Sequence, residues 1–332
     1  RRGVGGEREG GDRGGRKEVM GTAGLEEGID GLIVVHPEIL RVGTSGVVKK
    51  MILRSRGQAV AVKLIGIDIK SSERKSFLDE VARNYTCGMG LKGNMGGRKH
   101  PNIIDFFGAI YDPRGKYLGI VMEFVEGGNL FELYRSSKTK SAKFTDGSIS
   151  VIVQQVLQGL SFMHSKYLIH RDLKPSSILI DSDGKALITN LGNLRQLAKT
   201  NGQAASVVGT SCYFAPERIV GTSFTNSVDV WALGITILEV AIGDFPFRSQ
   251  QKNYMALLEQ IVDCESPVKE YGRDLSPDLH DFLSRCLQKH PRDRPSVQAL
   301  LLHPFVTSDK VEDGTSDLKV LVSQLLESRK ER

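Results

Sequence analysis

Six consecutive residues, His170-Arg171-Asp172-Leu173-Lys174-Pro175, put a carboxylate and an ammonium on one short loop. The loop lies between an apolar, helix-like run and the strand-like SILI. A carboxylate there can take or orient the proton of an attacking hydroxyl, and a lysine two residues on can neutralise charge on a group in transfer. Upstream, LRVGTSGVV supplies Gly43 and Gly46 with Val48 just beyond, and VAVK ends on Lys63. Glycines in a strand-turn-strand let the backbone approach a polyanion, and a lysine on the next strand is a point charge for its phosphates. Taken singly, a Gly-rich turn is more often a plain hairpin and a strand lysine a solvated one. In this order, with HRDLKP downstream, they supply the parts of γ-phosphoryl transfer: a cradle, a cation, and a carboxylate near the incoming hydroxyl. Glu80, on the following helix-like segment, is the natural ion-pair partner for Lys63.

Other segments would hold these groups in place. Glu217 of GTSCYFAPERI and Arg294 of HPRDRPS are expected to form a buried ion pair, and DVWALGI places Asp229 and Trp231 on a helix under the HRD loop. Strand patterns cover GVVKKMIL, QAVAVKLIGI, NIIDFFGAIY and YLGIVMEFV, and a capped helical pattern covers SSERKSFLDEVARNY, 71–85. After Gly127-Gly128 the chain turns helical through NLFELYRS and SISVIVQQVLQGLSFMHSKY, with SILI and ALIT as short strands around a DSDG turn. Helical segments dominate from Phe224 to Phe305. The stretch 317–330 puts Leu318, Leu321, Val322 and Leu325 on one face of an amphipathic helix.

Composition narrows the class. Of the net charge of +6, residues 1–17 carry six basic and three acidic side chains, so half of it sits there and the much longer remainder is near neutral. That argues against a nucleic-acid protein and makes the Gly/Arg-rich residues 1–30 a solvated, disordered leader rather than a grip on RNA or an acidic partner. The four cysteines show no metal-ligand spacing and read as reduced, mostly buried thiols. The apolar run 230–243 carries Glu239 and is short for a bilayer span, so no membrane association is expected.

With these residues assembled, the chain resembles the eukaryotic protein kinases over roughly 36–305. Within them it is most similar to the mitogen-activated protein (MAP) kinase kinases, on VMEFVEGGNL, VGTSCYFAPERI and DVWALGITILEVAIGDFPF. The resemblance implies an α+β bilobal fold, with a small β-rich lobe at about 36–124, a larger helical lobe at about 125–305, and a tail at 306–332. It implies ATP as phosphoryl donor, in an adenine slot lined by Leu40, Val48, Ala61, Met122 and Leu179, with Glu123 and Val125 also among the nucleotide-binding residues. Asp172, Lys174, Lys63 and Glu80 would be the catalytic set. A MAP kinase would be the substrate protein and a MAP kinase kinase kinase the activator. The activator would act on Thr200 and Ser206, with Arg171 pairing to the phosphorylated segment. A monomer is expected, in the cytoplasm, with the nucleus as the alternative compartment.

The departures from the family pattern fall on the metal. Where the family coordinates magnesium with the Asp of Asp-Phe-Gly and an Asn of the catalytic loop, this chain has Asn190 and Ser177. Magnesium favours anionic oxygen in near-octahedral geometry, so both ligands are degenerate and manganese is a candidate substitute. The first glycine of the cradle is Arg41, and Asn84 stands where a packing residue is expected. Two readings follow: a kinase with weakened magnesium-dependent transfer, or a pseudokinase serving a MAP kinase as scaffold or allosteric partner. The tail helix would either pack on its own large lobe or dock an activator.

Overall fold

The computed structural model describes residues 19–20, 32–33, 39–43, 46–53, 57–66, 100–112, 117–137, 144–190, 211–247, 253–263, 265–307 and 311–331. Glu80 and Asn84 with their helix, Leu191, Thr200, Ser206, Cys87, Cys264 and nearly all of the leader lie outside them.

The small lobe is an antiparallel sheet. Its strands are β1 (Val19–Met20), β2 (Leu32–Ile33), β3 (Ile39–Gly43), β4 (Gly46–Leu53), β5 (Gln58–Gly66), β6 (Phe106–Asp112) and β7 (Tyr117–Glu123), in the order β1-β6-β7-β5-β4-β2, with β3 also on β4. The β4 bounds match the strand expected from GVVKKMIL, and β5 ends one residue short of the pattern. Register matters for the chemistry: Val48 of β4 lies opposite Lys63 of β5, and Ala61 lies between Lys50 and Met122. Gly46 sits at φ 124°, and a Cβ there would come 2.1 Å from the Leu64 carbonyl oxygen, so only glycine fits this turn.

The large lobe begins with α1 (Leu130–Ser137) and α2 (Asp146–Ser165). Thr145 caps α2 reciprocally: its hydroxyl accepts from the Ser148 N–H and its own N–H donates to Ser148 Oγ. The short hairpin of β8 (Ile178–Ile180) and β9 (Ala186–Ile188) follows. Next come α3 (Pro216–Val220), α4 (Ser227–Ile242), α5 (Tyr254–Asp263), α6 (Pro267–Tyr271), α7 (Pro277–Cys286), α8 (Val297–Leu300), α9 (Pro304–Thr307) and α10 (Val311–Lys330). Mostly apolar and buried on nearly every side, α4 is the axis of this lobe, and the chain's single tryptophan, Trp231, is fully enclosed on it. Lys289 and Arg294 both lie over the indole ring, at 5.4 and 5.1 Å from its centre.

The amphipathic tail folds back onto its own lobe. Leu318, Leu321, Val322 and Leu325 are buried as the pattern requires, and α10 lies along α2 and α1. The helix starts at Val311, earlier than the pattern, because Gly314 seats it directly on Gly147 of α2, where a Cβ would come within 2.2 Å of backbone. The lobes join where Ile104 N–H donates to the Ile188 carbonyl and Ile188 N–H to Asn102. No helix among the described residues is long and apolar enough to cross a membrane.

Candidate active site

The HRD loop is pinned from below by one carboxylate. Asp229, in the first turn of α4 and fully buried, accepts from the His170 and Arg171 N–H groups at 2.9 Å each and from His164 Nε2 at 2.9 Å. Burial alone would raise its pKa. The hydrogen bonds it accepts, from His164 and the Arg171 N–H among them, oppose that, and its pKa lies below the ordinary carboxylate value. These contacts stabilise Arg171 at φ 66°, a left-handed conformation few side chains adopt unaided. His170 donates through Nε2 to the Thr189 carbonyl (2.8 Å) while Nδ1 accepts from the Asp172 N–H (3.3 Å). Because a carbonyl only accepts and an amide only donates, the partners fix its neutral Nε2–H tautomer. The loop therefore presents Asp172 with its carboxylate held by Lys174 Nζ at 2.9 and 3.2 Å.

Above the loop, between the lobes, lies a cavity of about 290 Å³. Leu40, Val48, Ala61, Met122 and Leu179 supply its apolar walls, Glu123 and Val125 line the edge between the lobes, and Lys63 and Asn190 line its polar end. Gly43 and Gly46 form the adjoining hairpin rather than the wall, and Asp172, Lys174 and Ser177 also stand outside the wall. Lys63 Nζ donates to Asn190 Oδ1 at 2.8 Å. Asn190 is held at φ 70°, which asparagine tolerates better than most residues.

Ser177 points the wrong way for a ligand. Its buried hydroxyl accepts from the Lys174 N–H (2.9 Å) and faces the Asp172 and Lys174 carbonyls at 3.0 and 2.9 Å, tying the loop to itself.

The protein kinase domain family model matches residues 36–306. MAP kinase kinase 2 of Arabidopsis thaliana is 35% identical over 275 residues, covering 81% of this chain and 71% of that protein. MAP kinase kinase SIPKK of Nicotiana tabacum is 33% identical over 276 residues, covering 81% and 72%. MAP kinase kinase skh1/pek1 of Schizosaccharomyces pombe is 33% identical over 278, covering 82% and 73%. The chain belongs to the protein kinase family and resembles its MAP kinase kinases.

Protein kinases use ATP with divalent metal held by acidic and amide side chains. The donors of this kinase-family chain do not fit that ion. The Asn190 amide oxygen is neutral and engaged by Lys63, the Ser177 hydroxyl is bonded inward, and the Asp172 carboxylate is clasped by Lys174. Among the described residues no group of three or more His, Cys, Asp or Glu side chains could hold a metal.

Two sets of wall residues escape motif reading. Arg41 reaches across the cavity and donates through Nη1 to the Ser176 carbonyl and through Nη2 to Ser176 Oγ, both at 2.9 Å. Leu326, Arg329 and Lys330 of α10 line the far side, with Arg329 donating to the Glu126 carbonyl (3.1 Å) and to Glu132 Oε2 (2.6 Å). The sequence signal for the first was a long cation in a glycine's place, and for the second a basic last turn on an amphipathic helix. Elsewhere in the lobe, the expected pair forms bidentately, Arg294 to Glu217 at 2.7 and 2.8 Å.

Proposed function

We propose that this chain is a MAP-kinase-kinase-like domain that binds ATP in the interlobe cavity and transfers phosphate with magnesium only weakly. The observation that carries the reading is that an apolar slot and Lys63 share one cavity directly above the Asp172–Lys174 loop. Asp172 would orient the proton of the incoming hydroxyl, and Lys174 would neutralise the transferred group. A bound metal would supply further charge neutralisation. Removing one preorganised electrostatic group typically costs on the order of 100- to 1,000-fold in rate, and here two metal ligands are degenerate. The protein substrate in this reading is a MAP kinase, phosphorylated on hydroxyl side chains, and the activator is a MAP kinase kinase kinase acting on Thr200 and Ser206.

The Lys63–Asn190 bond and the inward Ser177 hydroxyl also favour a second reading, in which the domain serves a MAP kinase as scaffold or allosteric partner. One experiment separates the two. ATP without magnesium is expected to raise the melting temperature in both. Asn190→Asp, alone and with Ser177→Asn, is expected to raise magnesium-dependent autophosphorylation about 100-fold under the first and to leave it at background under the second. A parent chain already as active with magnesium as the double variant would refute weakened transfer.

A further inference from the structure

The cavity that the nucleotide reading assigns to ATP is walled by five cationic side chains and three carboxylates among the described residues. One pair, Arg329 and Glu132, is mutually engaged on the α10 side. Lys63 and Arg41 remain as the cations nearest Asn190 and the catalytic loop. Arg41 is only partly exposed, on β3, and its guanidinium spans the cleft to Ser176, which immediately precedes Ser177. Burial lowers its pKa, and the Glu132 and Asp172 carboxylates oppose that, so both acids lie near the guanidinium.

We propose that Arg41 is a phosphate-binding residue of this cavity and that, with Lys63, it makes the site selective for the metal-free polyphosphate over its magnesium complex. The claim rests on the nucleotide reading above and goes beyond it in naming the ionic form bound. A guanidinium carries five N–H donors in a rigid fork, and Ser176 takes two of them. Three are left for a ligand, on a side chain already fixed in place, so little ordering entropy opposes the contact. A cation here does what a metal ion does elsewhere, neutralising the polyanion. A divalent ion bound to the nucleotide would remove two of the negative charges that attract Arg41 and Lys63. It would also bring its own charge beside theirs, at a site where the neutral Asn190 amide stands in place of an acid. The same substitutions that weaken the metal site thus favour the nucleotide without metal.

Calorimetric titration of the full chain with ATP and with adenosine, in EDTA and in excess magnesium, tests this. The parent is expected to bind ATP more tightly in EDTA than in magnesium. Arg41→Gly and Arg41→Gln are each expected to weaken ATP in EDTA about tenfold, the loss of one charge-assisted contact, and to leave adenosine within about twofold. Melting curves check that each variant folds, and Arg41→Gln decides if Arg41→Gly does not. Unchanged ATP affinity in the variants would overturn the proposal. So would tighter ATP binding by Arg41→Gly, which would make the guanidinium a plug, or tightening of parental ATP by magnesium. If ATP binds indifferently to Arg41, this inference alone falls; if neither ATP nor adenosine binds, the nucleotide reading falls with it.

Discussion

Arg294 shows how completely this chain satisfies a buried charge. Its Nε donates to the Gln288 carbonyl, Nη1 to Glu217 and the Ser227 carbonyl, and Nη2 to Glu217 and the Lys289 carbonyl, so all five donors are matched. Arg294→Ala would strand the Glu217 carboxylate in the interior, and we expect a loss of about 3–5 kcal/mol in urea unfolding. A loss under 1 kcal/mol would mean that water or another cation reaches Glu217. Ser177 invites a different test. If its hydroxyl is the pin of the catalytic loop, Ser177→Ala costs about 1–3 kcal/mol of stability by leaving the Lys174 N–H without its acceptor. If the hydroxyl is a metal ligand instead, stability is unmoved and only the metal dependence of activity changes. Nothing in the sequence separates these roles, because serine bonds its own backbone as readily as it faces outward.

Among the elements, α10 carries a glycine where helix propensity argues against one. Replacing an interior glycine with alanine normally stabilises a helix by about 0.5–1 kcal/mol. Gly314 abuts the backbone of Gly147, so Gly314→Ala is expected to destabilise instead, since backbone cannot yield as a side-chain tip can. A gain in melting temperature would show that α10 is not seated on α2 in solution. Leu318→Ala, on the fully buried face, should cost about 2–5 kcal/mol by the same seating. The helix itself was legible because Leu318, Leu321, Val322 and Leu325 repeat at helical spacing; its landing place was not, because a glycine carries no sign of what it touches. The strands β4 and β5 were equally legible from apolar and β-branched residues between turn residues. HRDLKP could be read because its chemistry sits within six residues. Arg41 could be marked as a departure, yet its partner lies 135 residues away, and only folding brings Ser176 beneath it. Glu132, Arg329 and Lys330 reach the cavity wall by the same long-range route.

Across the whole molecule, two buried carboxylates tilt stability with pH in opposite senses. Asp229 is held below the ordinary value of 3.8, so its stabilisation is present above that pH and is lost as pH falls through the folded value. Glu239 is raised above 4.5 by burial, against the hydroxyls of Tyr134 and Tyr213 that donate to it. The folded state then holds the extra proton, and stability declines as pH climbs from 4.5 through the folded value. Glu239→Gln keeps an acceptor oxygen for one tyrosine, places an amide N–H that can donate to the other hydroxyl, and removes the titration, so denaturant midpoints measured from pH 4.5 upward should fall less steeply than in the parent. Parallel curves would place Glu239 outside the pH response. The enclosure of Trp231 has a further practical meaning. As the chain's sole indole, packed on α4 beneath two cations, it makes selectively excited tryptophan emission a reporter of the helical lobe alone. Melting of the β-rich lobe would pass unseen by that signal, so emission and far-ultraviolet dichroism should part company wherever the two lobes come undone separately.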